Sequence, residues 1–244
     1  MATLGLSGPG DEFELEPPSN PPTVDGPSTG HPNSPVQGRE SLLKWLENAR
    51  ELGFLGPRPV RDHVRQAHRF VDALGKDLSG QMIDLGTGAG VPGLMLAWWW
   101  PRSTWLLLDG KPSRLRLLEQ VIDDLGWTDR VSVLLGRAEV LAHDPALRGS
   151  TDLVVARSFG PPAVVAECAA GFLKLQGRLA VSEPPDDGSR RWSAVDLSAL
   201  GLALGSSEDS IQVIDKVAPT PARFPRRTGI PAKRPLFAGP SSFT

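Results

Sequence analysis

One cysteine, Cys168, occurs in 244 residues. A lone thiol excludes an internal disulfide and any metal site built from several cysteines. Its place in an apolar helical stretch reads as a buried structural group, and the scarcity of cysteine suits the cytosol. No apolar run approaches the roughly 20 residues a helix needs to cross a bilayer. The N-terminus, MATLGLSGPGDEFELEPPSN, has no positive start followed by an apolar stretch and does not read as a secretory signal. Lys and Arg are missing from residues 1–37, which hold eight prolines and five acidic residues. That composition buries too little apolar surface to offset the entropy of ordering, so the segment is expected to be disordered. Acidic residues are missing from the opposite end. Residues 216–244 carry six Lys and Arg and no Asp or Glu, leaving −8 on residues 1–215 and +6 on the tail. Such asymmetry marks either a surface for a polyanion or a solvated tail, and what lies upstream decides between them.

Forty per cent hydrophobic and 22% charged residues describe a globular chain with one sizeable core. Leu42, Leu43, Trp45, Leu46, Ala49 and Leu52 form a helical stripe ending at Gly53, and Val64, Ala67, His68, Val71 and Leu74 form a second. The period then changes. QMIDLG (81–86), TWLLLD (104–109), RVSVLLG (130–136), TDLVVAR (151–157) and RLAVSE (178–183) read as buried strands. Between them, 92–100, 113–126 and 161–177 read as helices, with Pro92 suited to a first helical position. Two strands joined by a polar turn follow, as a hairpin that puts an antiparallel strand at or near a sheet edge. Alternating strands and helices predict an α/β fold, a doubly wound and mainly parallel sheet. The expected organisation is a Pro-rich acidic segment (1–37), N-terminal helices (38–76), a nucleotide-type domain (77–217) and a basic tail (218–244).

DLGTGAGVPG is the most informative stretch. Gly86, Gly88, Gly90 and Gly93 sit between a buried strand and a helix start, where glycine allows a tight turn and close approach of a ligand to the main chain. Gly88, Gly90 and Gly93 also fit a dinucleotide fingerprint, so the loop alone admits NAD or S-adenosylmethionine (SAM). No G-K-S/T follows the glycines, which argues against a P-loop. Asp84 favours SAM: a carboxylate suits the cationic methionine portion but opposes a pyrophosphate at a helix N-terminus. Asp109, ending the second strand, suits ribose hydroxyls in either cofactor. Ala138 and Glu139 follow the third strand, where an adenine would lie, and Arg157 ends the fourth. Ligands of such sheets sit outside the carboxyl ends of the strands, so these side chains share one rim.

DLGTGAGVPG, LLLDGKPSRLRLLEQV, GRAE, VVARSF and RFPRRTGIPAKRPL together resemble the bacterial glucose-inhibited division protein B family over roughly residues 41–237. That resemblance implies a class I SAM-dependent methyltransferase with a seven-stranded sheet, acting on guanine N7 of 16S ribosomal RNA in the cytoplasm. It places cofactor contacts at Gly86, Val91, Ala138, Glu139 and Arg157, with Asp109 as the ribose acid. The tail then supplies RNA contacts from Arg223, Arg226, Arg227, Lys233 and Arg234. The chain departs from the family at Gly110–Ser113 and at Ser182–Pro185, where Glu183 stands for a basic residue. Ribosomal RNA or the small subunit is the implied partner, with no membrane and no obligate protein partner. Alternatives are a divergent RNA-binding paralogue without turnover, or methylation of another RNA or of a small molecule. An NAD oxidoreductase is a further one.

Guanine N7 carries no proton, so the implied reaction needs placement rather than a general base, and no catalytic acid or base is expected. Positioning alone contributes about 7 to 11 kcal/mol to such reactions. His63 is expected on the helix exterior, His68 on the apolar stripe and His143 in a loop away from the rim. Pro221, Pro225, Pro231 and Pro235 are expected to keep the tail extended along an RNA backbone. Phe224 would either stack on a base or pin the tail to the core. At least one of Trp98, Trp99 and Trp100 is expected to face outward.

Overall fold

Side-chain alternation along the central strands sorts residues into two cores, one on each face of a single sheet. The computed structural model describes residues 35–184, 191–192 and 196–237. Helices α1 (Pro35–Glu51) and α2 (Val60–Leu74) come first, then β1 (Gly80–Leu85), α3 (Gly93–Trp99), β2 (Ser103–Asp109), α4 (Pro112–Asp124) and β3 (Val131–Leu135). They are followed by α5 (Ala138–Leu141), β4 (Thr151–Arg157), α6 (Pro162–Ala170), β5 (Leu173–Ser182), a 3-10 turn (Leu197–Leu200), β6 (Leu202–Glu208), β7 (Ile211–Lys216) and α7 (Ile230–Lys233). The seven strands run in the order β3-β2-β1-β4-β5-β7-β6. Only β7 is antiparallel to its neighbours, which is the expected hairpin with β6 on the edge.

Met82, Leu153, Val155 and Ala180 face a core covered by α1, α2, α3 and α4. Ile83, Leu85, Val154, Ala156, Leu179 and Val181 face the other, covered by α5, α6, the 3-10 turn and the C-terminal segment. Since α1 and α2 share their core with α3 and α4, no packing boundary falls near residue 76. Among the described residues no helix is long and apolar enough to cross a membrane.

Several expectations need correction. The disorder expected for 1–37 lies outside the described residues as far as 34, and Pro35 already opens α1. Leu52 lies just past that helix and is exposed. Trp98, Trp99 and Trp100 are all buried, because α1 and α2 cover α3: Gly38 packs on Trp98, His68 meets the edge of Trp99, and Trp100 donates to the Gly75 carbonyl. The helix read over 161–177 stops at Ala170. Leu173 pairs instead with Thr151, the chain turns at Gln176 (φ 67°), and regular pairing resumes at Arg178. Buried Phe172, in the turn before β5, and Leu173, its first residue, are drawn into the second core although their spacing also suits a helix. Cys168 is buried in that core, which pushes its thiol pKa up.

The largest difference is in residues 218–237, which are not an extended tail; the rest of the expected basic tail, 238–244, lies outside the described residues. Phe224 is buried in the second core, so it pins the segment. Arg148 donates to the carbonyls of Ala142, Thr220, Pro221 and Phe224 at 3.0 to 3.3 Å. Lys216, 3% exposed, donates to Ala170 and Leu200 carbonyls and to Thr220 Oγ1, and burial lowers its pKa to about 8. His143 Nε2 lies 2.7 Å from the Pro225 carbonyl oxygen. Glu167, fully buried on α6, accepts from the Arg226 backbone N–H (2.8 Å), Nε (2.8 Å) and Nη2 (2.7 Å). Side chains of the helical layer and backbone carbonyls thus clasp residues 220–234 against the domain.

Candidate cofactor and nucleic-acid site

Strand register explains why the site residues converge. Asp84 pairs with Leu107 on β2 and Val155 on β4. Asp109 and Arg157 lie two residues further along those strands, so by parity they share the face of Asp84. Arg157 pairs with Ser182 on β5, which brings that hydroxyl to the same face. Four polar strand ends therefore point toward the α1–α4 layer at one edge.

The loop after β1 is held from both sides. Gly86 and Thr87 donate N–H to the Leu108 carbonyl, and Trp45 Nε1 from α1 donates to the Ala89 carbonyl at 3.0 Å. Gly86 has φ 75°, and an added Cβ would lie 2.7 Å from Phe159, so side chains are excluded there on two counts. Val91 is buried and joins Pro92 through a cis peptide; Pro92 precedes α3, which begins at Gly93. Asp84 Oδ2 accepts from Thr87 Oγ1 (2.7 Å) and from Gly93 N–H (2.9 Å). Its Oδ1 is buried with no hydrogen-bond partner, and burial raises the carboxyl pKa to about 6. Asp109 accepts from Gly88 N–H (3.1 Å), Lys111 N–H (2.9 Å) and Arg114 Nη1 (3.3 Å).

Ala138 is buried at the start of α5. Glu139 beside it, expected to face an adenine, accepts at Oε1 from the Gly229 N–H (2.9 Å) and from Arg137 Nη2 (3.2 Å). Burial acts to raise its pKa, but bonds from the Gly229 and Glu139 backbone N–H groups and from Arg137 outweigh that and hold the carboxyl below its usual range. Glu139 thereby ties the C-terminal segment to the rim.

Arg157 reaches α2. Its Nη1 donates to His63 Nδ1 (3.1 Å) and Gln66 Oε1 (3.2 Å), and burial lowers its pKa while the Asp84 charge opposes that. Because arginine only donates, His63 Nδ1 accepts and Nε2 carries the proton, directed at the Gly56 carbonyl at 3.2 Å. His63 is therefore not on the exterior: it is 6% exposed, and burial holds its pKa down. Gln66 Nε2 also donates to Ser182 Oγ (3.1 Å). Sequence reasoning placed His63 outward and did not single out Gln66; their only signal is a polar pair three residues apart beside the buried Val60, Val64 and Ala67. His68 is half-buried against Asp72 and Trp99.

Of the expected RNA contacts, Arg223, Arg227, Lys233 and Arg234 are exposed, with Arg223 lying over the Phe224 ring. Arg226 has a different task, because its guanidinium is bound by Glu167. A second basic feature was not foreseen. A cavity of about 580 Å³ opens between α2 and the ends of β4 and β5, lined on one side by Arg58, Arg65, Gln66 and Arg69. Glu183 on its other side does not offer bare negative charge: it is 5% exposed and receives Arg191 and Trp192 Nε1.

These residues fit SAM. The partnerless buried oxygen of Asp84 suits a cationic group, and Asp109 is a carboxylate at the position for a ribose diol. Fold and site define a class I SAM-dependent methyltransferase. Residues 57–182 match the family described as GidB, rRNA small subunit methyltransferase G. A relative from Deinococcus radiodurans is 34% identical over 213 residues, 80% of this chain and 83% of its own. One from Streptococcus gordonii is 32% identical, covering 81% and 88%, and one from Parasynechococcus marenigrum 32%, covering 73% of each. All three carry the name ribosomal RNA small subunit methyltransferase G. The chain belongs to this family, and the NAD reading is set aside.

Proposed function

We propose that this protein transfers a methyl group from SAM to N7 of a guanine in 16S ribosomal RNA, working in the cytoplasm on the small subunit or its precursor. The observation that carries the reading is the convergence of Asp84, Asp109 and Arg157 on one face of three adjacent strand ends, beside an arginine-lined cavity. The names of the relatives supply the class of RNA. The N7 assignment rests on the resemblance of the motif set to this family, and it requires no residue to remove a proton.

SAM supplies an electrophilic methyl on a sulfonium, which the N7 lone pair takes by in-line displacement, leaving a cationic base and neutral S-adenosylhomocysteine. Asp109 receives the ribose hydroxyls, and Asp84 offers its partnerless oxygen to the cationic end of the ligand. Gly86, Gly88, Gly90 and Val91 present backbone to it, and Ala138 borders the adenine. Arg157 braces the rim against His63 and Gln66 of α2. Residues 77–217 carry the chemistry in this reading, 38–76 form one wall of the substrate cavity, and the basic residues of 218–237 add RNA affinity.

Tritium transfer from labelled SAM to small subunits of cells lacking the gene tests the reading. Label in 16S RNA at a guanine cleavable by borohydride and aniline is expected, falling at least about tenfold with Arg157→Ala. Saturable SAM binding with no label in RNA would overturn it.

Acid should weaken cofactor binding. Burial is the main cause that lifts Asp84 to about 6, against the Thr87 and Gly93 bonds. A carboxyl raised on folding stabilises the empty protein fully below its unfolded value of 3.8, and that contribution is lost as pH rises through about 6. A cationic ligand reverses the preference, so SAM affinity should drop by up to about tenfold per pH unit below 6. Calorimetric titrations from pH 5 to 7.5 check this. Asp84→Asn should flatten the profile, and a flat wild-type profile would refute the role.

A further inference from the structure

The cavity beside α2 brings together four arginines, Arg58, Arg65, Arg69 and Arg191, against two acids, Asp62 and Glu183. Both acids are already occupied. Asp62 lies 3.5 Å from Arg65 on the same helix, and Glu183 holds Arg191. Arg69 faces Asp209 at 3.7 Å, whereas Arg58 is exposed and has no ion-pair partner among the described residues.

The Glu183–Arg191 pair differs from a surface ion pair. The carboxylate is 3% exposed and is further fixed by Trp192 Nε1 at 2.9 Å, while the arginine side chain remains 27% exposed and lines the cavity. A buried carboxylate gripping one edge of a guanidinium orients the planar fork and leaves its other donors directed outward. The floor of the cavity includes Ser158, a non-glycine residue held at φ 56°, a conformation that persists only where surrounding structure imposes it and that clusters at ligand sites. A volume of about 580 Å³ lies within the range of small-ligand sites and is large enough to admit a nucleotide.

We propose that this cavity seats a backbone phosphate of the RNA beside the target guanosine. Arg191 is the cation that binds it, Arg58 is its partner across the cavity, and Glu183 is a positioning residue that aims Arg191. The acidic residue on the substrate face thereby serves to place a positive charge rather than to remove one. This assignment rests on the RNA-methyltransferase reading above.

Filter binding of the full chain to 16S RNA over a range of potassium chloride, with calorimetric SAM affinity as a check on folding, tests it independently of turnover. Arg191→Ala should weaken RNA binding about tenfold and lower the slope of log affinity against log salt by about 0.7 to 0.9, the signature of one lost phosphate. SAM affinity should stay within about twofold. Glu183→Gln should reproduce part of the loss, and adding it to Arg191→Ala should cost nothing more in RNA affinity, since it acts through that arginine. Arg191→Lys should keep the slope while losing some affinity. An unchanged slope in Arg191→Ala, with wild type binding RNA, would overturn the phosphate assignment alone. A wild-type protein that binds no RNA would overturn it together with the proposed substrate.

Discussion

Arg226→Ala lowers the thermal unfolding midpoint by about 6 to 12 °C. Its partner Glu167 is fully buried, and the substitution strands that carboxylate with only the backbone N–H of residue 226. Removing one member of a buried, hydrogen-bonded ion pair costs about 3 kcal/mol or more, and each kcal/mol shifts the midpoint by roughly 2 to 4 °C in a chain of this size. Combining Arg226→Met with Glu167→Gln should recover most of the loss. The amide oxygen still accepts the backbone N–H, and no charge is left buried. Differential scanning calorimetry of the wild type and both variants decides the matter. A drop under about 2 °C with weakened RNA binding would make Arg226 an RNA contact after all, and the clasp would then not depend on it.

Asp109→Ala weakens SAM binding by about 100-fold or more in calorimetric titration. Hydrogen bonds to a charged acceptor contribute about 1.5 to 3 kcal/mol each, so two ribose hydroxyls account for two orders of magnitude or more. The substitution also frees the Gly88 and Lys111 N–H groups. Water can reach both more easily than it reaches the core, so the unliganded fold should lose little stability. Asp109→Asn keeps an acceptor and should fall between alanine and wild type. Affinity within about threefold of wild type would remove Asp109 from the cofactor site.

Much of this fold was legible because period and punctuation agree. Each central strand is a short apolar run, and Gly86, Asp109 and Gly136 mark turns at the very rim where the ligand chemistry lies. The common rim of Asp84, Asp109 and Arg157 was legible for the same reason: a strand end has a fixed place in a parallel sheet. What depends on packing between distant elements was not. Arg157 could be placed at the rim, but its two hydrogen bonds come from α2, 91 and 94 residues earlier. His63 was assigned outward because apolar spacing defined the buried side of α2, whereas its first turns lie against a polar sheet end. Phe172 and Leu173 satisfy either a helix or a strand, and pairing with Thr151 decides. The tail is the clearest case: charge and proline content predicted an extended arm, but buried Glu167 and the carbonyls gathered by Arg148 lie far upstream and give no local signal.

Residues 220–234 follow every strand and helix they pack against, yet one of the two cores is incomplete without them. A nascent chain stalled before that point presents an open socket for Phe224 and a buried carboxylate with no counter-charge. Folding of the second face must therefore wait for residues 220–234 to clear the exit tunnel, and a product cut short before them would carry a built-in mark for proteolytic clearance.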